Sequence, residues 1–247
     1  MKKPNSAMQA ILDAHAALGP LPVETLTPEQ ARLVPLLDRA AAAYYGQHFT
    51  KRAMAASPQP VGRVENILID GADGKLNARV YTPDDEAPPE GFPVLLYFHG
   101  GGWVLGSLDT YDASCRALCN GASCIVLAVQ YRLAPEHPWP AAPQDAFAAY
   151  AWTLAHARDI GGDAGLIAVA GESAGGNLAT VTCLMARDQG IPLPVHQLLV
   201  YPVTDIAHGV RSPSAMEFAD EKPLNTPMLD WFYGHYAGRV EDKTHPY

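Results

Sequence analysis

The chain has 247 residues, 48% of them apolar, which is enough for one α/β domain with a substantial core. Its 17 basic and 26 acidic residues leave a formal charge of -9, which opposes nucleic acid or an anionic membrane as partner and points to a small molecule. Cys115, Cys119, Cys124 and Cys183 show no paired CxxC spacing and no interleaved histidine, so zinc is not expected and the thiols read as buried and reduced.

Met1-Lys2-Lys3 begins like a signal peptide, but Asp13 and His15 interrupt the segment that would be its apolar core. No apolar run reaches membrane-spanning length, and the expectation is a soluble, cytoplasmic protein. Ser6 is placed to cap a first helix with Met8, Ile11, Leu12, His15 and Leu18 on one face, stopped by Gly19-Pro20. Thr27-Pro28-Glu29-Gln30 starts a second helix: a cap, a proline at the first helical position and a Gln able to close a capping box. Pro35 is expected to kink it, and residues 51–60, with Ser57-Pro58 and Pro60, read as a linker. Residues 1–56 are therefore taken as an N-terminal helical cap segment and 57–247 as the core domain.

From Val61 the pattern changes to strands. Residues 64–70 and 75–81 flank Asp73-Gly74, a tight hairpin signal. PVLLYF at 93–98, CIVLAVQ at 124–130, LIAVA at 166–170 and QLLVYPV at 197–203 are too continuously apolar for a sheet with one wet face. Helices are expected at about 109–120, 141–157, 174–189 and 226–237. Strands buried on both faces and separated by crossover helices specify a mostly parallel sheet with helices on each side.

Two stretches carry chemistry. Gly171-Glu172-Ser173-Ala174-Gly175 follows LIAVA directly and opens a helix, the setting in which G-x-S-x-G forms a strained turn that lifts a serine above the sheet. The helix N-terminus behind it favours an oxyanion. His99-Gly100-Gly101-Gly102-Trp103 follows PVLLYF, and its glycines let backbone N–H groups approach an anion, with the N–H of Ala174 meeting them from the serine turn. One such donor is worth roughly 3–4 kcal/mol of transition-state stabilisation. The bland alternatives are a plain glycine turn or a phosphate loop, and the absence of a following GK[ST] removes the second.

HGGGW, YRLAPEHPWPAAPQDA at 131–146, GESAGGNL at 171–178 and YPVTD at 201–205 together resemble the hormone-sensitive lipase family of α/β-hydrolases, in its microbial esterase branch. The resemblance runs from about residue 5 onward. It implies an α/β-hydrolase fold, a carboxylic-ester hydrolase acting on short- to medium-chain acyl esters, Ser173 as nucleophile, and Gly101, Gly102 and Ala174 as oxyanion hole. It also implies Trp103 as a wall of the substrate pocket and His99 as an anchor of its loop, with no metal or organic cofactor. Its partner would be a small-molecule ester, and a homodimer is left open. Three positions depart from the family's pattern: Glu172 where Asp is commoner, at a position expected to face away from substrate, and Pro143 with Gln144, which are expected to shift the start of the following helix.

A larger departure concerns the acid and the base. In such folds they follow two further strands, on the order of 55 residues with their helices. The residues after Ser173 are consumed by one helix, QLLVYPV, a loop and a last helix. The expectation is a core lacking its last two strands, inactive alone, with QLLVYPV left as an apolar edge that promotes association. Asp205 is the in-chain candidate acid and His196, His208, His235 and His245 the candidate bases, each with a structural alternative as cap, loop or helix-face residue. Glu136-His137, between prolines, reads as a turn. A non-catalytic small-molecule binder on the same fold, as in plant gibberellin receptors, and an amide or formamide hydrolase are the alternative functions.

Overall fold

The computed structural model describes residues 4–34, 40–41, 44, 58–207, 212–220 and 223–247. Helix α1, Ser6–Ala17, is capped by Asn5, whose side-chain Oδ1 accepts from the Met8 N–H at 2.9 Å and takes the capping role expected of Ser6, which is instead the first helical residue. No residue of α1 is buried. After a short 3-10 turn at Val23–Thr25, α2 spans Pro28–Ala31 and carries the full Thr27/Gln30 capping box. It ends before Pro35, which lies outside the described residues, as do most of the expected linker and the boundary at 56/57. Its last turn is held from outside. The Arg32 guanidinium forms a two-pronged pair with Glu136 at 2.7 and 2.8 Å and donates to the carbonyls of Val104 and Ala134, fastening the N-terminal segment to two loops of the core.

Strands β1, Arg63–Gly71, and β2, Gly74–Thr82, form the expected hairpin, with Gly74 at φ +95° in its turn. β3, Phe92–Phe98, is followed by α3, Asp112–Ala122, and β4, Ile125–Val129. Helix α4, Ala141–His156, starts where the sequence placed it, with Pro143 in its first turn, where the missing N–H removes no helical hydrogen bond. β5, Gly162–Glu172, leads into α5, Ala174–Asp188, then β6, Gln197–Val200. Three helices complete the described chain: α6 Pro213–Glu217, α7 Thr226–Tyr236 and α8 Val240–Lys243. β6 is three residues shorter than QLLVYPV because Tyr201 turns to φ +35° and Pro202 follows.

The described strands form one six-stranded sheet in the order β1-β2-β4-β3-β5-β6, parallel from β4 to β6 and antiparallel through the hairpin. Alternation along the strands divides the core in two. Val94, Leu96, Phe98, Ile125, Leu127, Ile167 and Val169 belong to a core that also takes in the buried faces of α4 and α5. Leu95, Tyr97, Val126, Ala128 and Ala170 pack with Cys115 and Cys119, one turn apart on α3. β6, in contrast, has no buried residue and lies at the sheet edge.

Arg132 and Asp145, both within YRLAPEHPWPAAPQDA, lock the start of α4 to the hairpin. The fully buried Asp145 carboxylate accepts from Arg132 Nε at 2.8 Å, its NH2 group at 2.9 Å and its backbone N–H at 3.0 Å, and from the Ala72 N–H at 3.3 Å. Arg132 also reaches Asp73 at 3.0 Å.

Candidate active site

The C-terminal ends of β3 and β5 lie side by side, with Phe98 in register with Gly171, so the loops that follow them meet. Ser173 occupies the turn between β5 and α5 at φ +55°, ψ −117°, a backbone region costly for any residue with a side chain. The turn is held by its own backbone: the Ser173 N–H donates to the Val200 carbonyl at 2.9 Å, and the Ser173 carbonyl accepts from Asn177 and Val203 at 3.1 Å each. Glycines make the turn sterically feasible. A Cβ on Gly171 would lie 2.2 Å from the Gly175 oxygen, and one on Gly175 would meet the carbonyls of Phe98 and His99.

The triple-glycine loop is folded as tightly. Gly101 and Gly102 have φ +107° and +60°, and the Gly101 carbonyl accepts from Leu105 at 2.8 Å and Val104 at 3.1 Å. A Cβ on Gly102 would lie 2.2 Å from the Phe232 ring of α7. His99 is buried between Tyr131, stacked at 4.4 Å, and Tyr111 at 5.7 Å. Its Nδ1–H donates to the Gly100 carbonyl at 2.7 Å and its Nε2 accepts from the Gln130 amide at 3.2 Å, which fixes a neutral tautomer. Burial lowers its pKa to about 4, against the opposing hydrogen bond to Gly100. Tyr131 donates to the His99 carbonyl at 2.8 Å, so ring and backbone are both tied.

Ser173, Gly101, Gly102 and Trp103 border one cavity of about 440 Å3, walled otherwise by Leu105, Leu224, Met228, Leu229, Phe232 and Tyr233 among others. Ala174, the first residue of α5, is fully buried behind Ser173 with an N–H that the helix itself does not use. Trp103 is only 1% exposed; its ring stacks on Tyr236 at 4.0 Å and separates this cavity from a second one of about 410 Å3 on its far side.

Glu172 does not face away from the cavity. It lines it, with its carboxylate accepting the Tyr97 hydroxyl at 2.6 Å and the Tyr201 hydroxyl at 2.5 Å. Glu172 takes this face because it continues the alternation of Ala168 and Ala170 along β5, on the side that carries Tyr97 of the adjoining β3. Burial first, then Glu172, push both tyrosine hydroxyls well above their ordinary range. Strand alternation accounts for Tyr97 but gives no signal for Tyr201, which lies beyond the end of β6 and 29 residues from Glu172.

The candidate acid and bases are scattered. Asp205 shares a cleft with Ser173, and its Oδ1 accepts from the Ala207 N–H at 2.8 Å, a turn contact. His196 is exposed at the opposite end of β6, its carbonyl accepting from Val169. His235 packs edge-on against Trp231 at 4.6 Å, and His245 lies against Trp139 at 4.8 Å in the second cavity. His208 lies outside the described residues. Among the described residues, no histidine lines either opening onto Ser173. Glu136 forms the ion pair with Arg32, and no described group of His, Cys, Asp and Glu could hold a metal ion. No described helix is long and apolar enough to cross a membrane.

A sequence profile of the alpha/beta hydrolase fold matches residues 95–247. The chain is 47% identical over 182 residues to Esterase LipI of Mycobacterium tuberculosis, covering 74% of this chain and 56% of the relative. It is 38% identical over 185 residues to the ethyl acetate hydrolase of Pseudomonas putida, covering 74% and 58%. Among solved structures, the hyperthermophilic esterase from the archaeon Pyrobaculum calidifontis superimposes with a TM-score of 0.80 at 35% identity, over 100% of this chain and 74% of that one. The chain thus spans about half the length of the curated relatives it matches.

Proposed function

This chain belongs to the alpha/beta hydrolase family, and from that premise we propose that it carries the nucleophile and oxyanion site of a carboxylic-ester hydrolase for short- to medium-chain acyl esters. One observation supports this most: the strained Ser173 turn and the Gly101-Gly102 loop border the same cavity, at the N-terminus of α5. The names of the relatives, esterases and an ethyl acetate hydrolase among them, agree with it. The cavity size and its largely apolar walls suit a small uncharged acyl group.

In this reading Ser173 Oγ attacks the acyl carbon and its proton passes to a general base. The carbonyl oxygen becomes an oxyanion held by the N–H groups of Gly101, Gly102 and Ala174. Collapse expels the alcohol, which regains a proton, and water then attacks the acyl-serine to release the acid. His99 is a poor base because its ring is buried, neutral and committed at both nitrogens. With no described histidine lining the cavity, turnover by these residues alone falls by about 10⁶, the cost of losing the triad histidine in a serine hydrolase.

The 247-residue polypeptide is therefore expected to give no burst from p-nitrophenyl butyrate. Fusing it to the C-terminal part of a relative such as Esterase LipI is expected to restore turnover, and Ser173→Ala in the fusion to abolish it. Turnover by the unfused polypeptide that disappears in Ser173→Ala would place a base within this chain, and a fusion insensitive to Ser173→Ala would reject the nucleophile. That no described histidine lines the cavity also favours a second reading, a non-catalytic binder on the same fold; labelling of Ser173 by an organophosphonate in the fusion separates the two. The four free cysteines fit a cytoplasmic setting.

A further inference from the structure

Glu172 is the one formally charged side chain among the described residues lining the 440 Å3 cavity. Among the described residues, the adjoining cleft at Ser173 adds Asp205 and no cation. Two tyrosine hydroxyls donate to the Glu172 carboxylate, and neither carries a charge that would offset it. The charge is felt around it: after burial, Glu172 is the next cause raising the Tyr97 hydroxyl, and it contributes to raising the Cys115 thiol. The same cavity is bordered by the aromatic residues Tyr111, Tyr201, Phe232 and Tyr233, a ring type that attracts cations.

Resting on the ester-hydrolase reading, we propose that the cavity over Ser173 selects esters by charge, favouring those that carry an ammonium group over neutral isosteres and rejecting those that carry a carboxylate. The physical basis is twofold. Glu172 and Ser173 line the same cavity, and at an effective dielectric of about 20 a unit charge about 7 Å from a ligand changes its binding by about tenfold or more. The aromatic wall supplies a second, independent preference of the same sign.

The test uses the 247-residue polypeptide and three butyryl esters, of choline, of 3,3-dimethylbutanol and of 3-hydroxypropanoate, with equilibrium binding followed by ligand-observed NMR. The choline ester is expected to bind about tenfold tighter than its neutral isostere and the carboxylate ester about tenfold weaker, with the spread shrinking as salt rises from about 20 to about 500 mM. Glu172→Gln is expected to remove most of the spread, whereas Tyr97→Phe, which keeps the charge, retains it. Equal affinities for all three esters at low salt, or a spread unchanged in a folded Glu172→Gln variant, would overturn the charge selection and leave the hydrolase reading standing. Should Glu172→Gln fail to fold, the salt series on the parent chain decides alone. Absence of binding by the neutral ester would overturn the hydrolase reading and this one with it.

Discussion

Gly175 approaches Phe98 so closely that a Cβ on it would sit 1.9 Å from the Phe98 carbonyl oxygen. This contact joins the two loops of the candidate site: the first turn of α5 rests on the end of β3, where the triple-glycine loop begins. The backbone on both sides is fixed by sheet and helix hydrogen bonds, so neither can yield cheaply.

Gly175→Ala is accordingly expected to destabilise the protein by about 3 kcal/mol or more, reversing the gain of up to about 1 kcal/mol that Ala normally brings to a helix. Gly121→Ala is the matched control. Gly121 lies in α3 with nothing within 4 Å of its would-be Cβ, and the substitution is expected to stabilise by about 0.5–1 kcal/mol. Urea unfolding of both variants checks the opposite signs.

The neutral state of His99 makes stability depend on pH. Its folded pKa of about 4 lies below the ordinary 6.5, so between these values the unfolded chain binds the proton and the folded one does not. The contribution is complete above about pH 6.5 and is lost as pH falls through that window, by an order of about 3 kcal/mol. Denaturant midpoints from pH 7.5 down to 4, with the His99 ring resonances followed by NMR, test this; a ring that titrates near 6.5 in the folded protein would refute it.

Removing the Asp145 carboxylate leaves Arg132, only 16% exposed, without its main partner and frees the Ala72 N–H. Asp145→Ala is expected to cost about 3–5 kcal/mol, the range for breaking a buried pair from one side. Hydrogen exchange is expected to show the loss first in the β1–β2 turn and the start of α4. A variant as stable as the parent would show that the network is replaceable.

On β6, the outermost strand of the described sheet, Leu198 and Val200 are more than a third exposed, and Tyr201 just past it is 70% exposed. An apolar edge with an unpaired backbone ladder invites pairing with another chain. The polypeptide is expected to self-associate as its concentration rises, and Leu198→Lys combined with Val200→Lys to suppress this in light scattering. Monodisperse monomer for the parent at every concentration would dismiss it.

Much of the fold was legible because its signals are local. The runs around Leu96, Leu127 and Val169 are apolar on both faces and became central parallel strands; Asp73-Gly74 marked a hairpin; Thr27 and Gln30 announced a capping box that lies three residues apart. Propensity, alternation and turn chemistry act over a few residues and survive whatever the rest of the chain does.

Other features depend on distant partners. Asn5 rather than Ser6 caps α1, a difference of one residue settled by which side chain reaches the Met8 N–H. The hydroxyl that Tyr201 lends Glu172 and the carboxylate that Glu136 lends Arg32 come from distant segments, and the exclusion of His196, His235 and His245 from the Ser173 cavity depends on where β6, α7 and the last residues pack. The amino-acid sequence by itself determined the elements, the glycine-permitted turns and the residue types at their tips. Only the tertiary structure decided which charges face the cavity and which imidazoles stay outside it, because a side chain's direction is set by packing and hydrogen bonds between segments far apart in the chain, for which no local pattern codes.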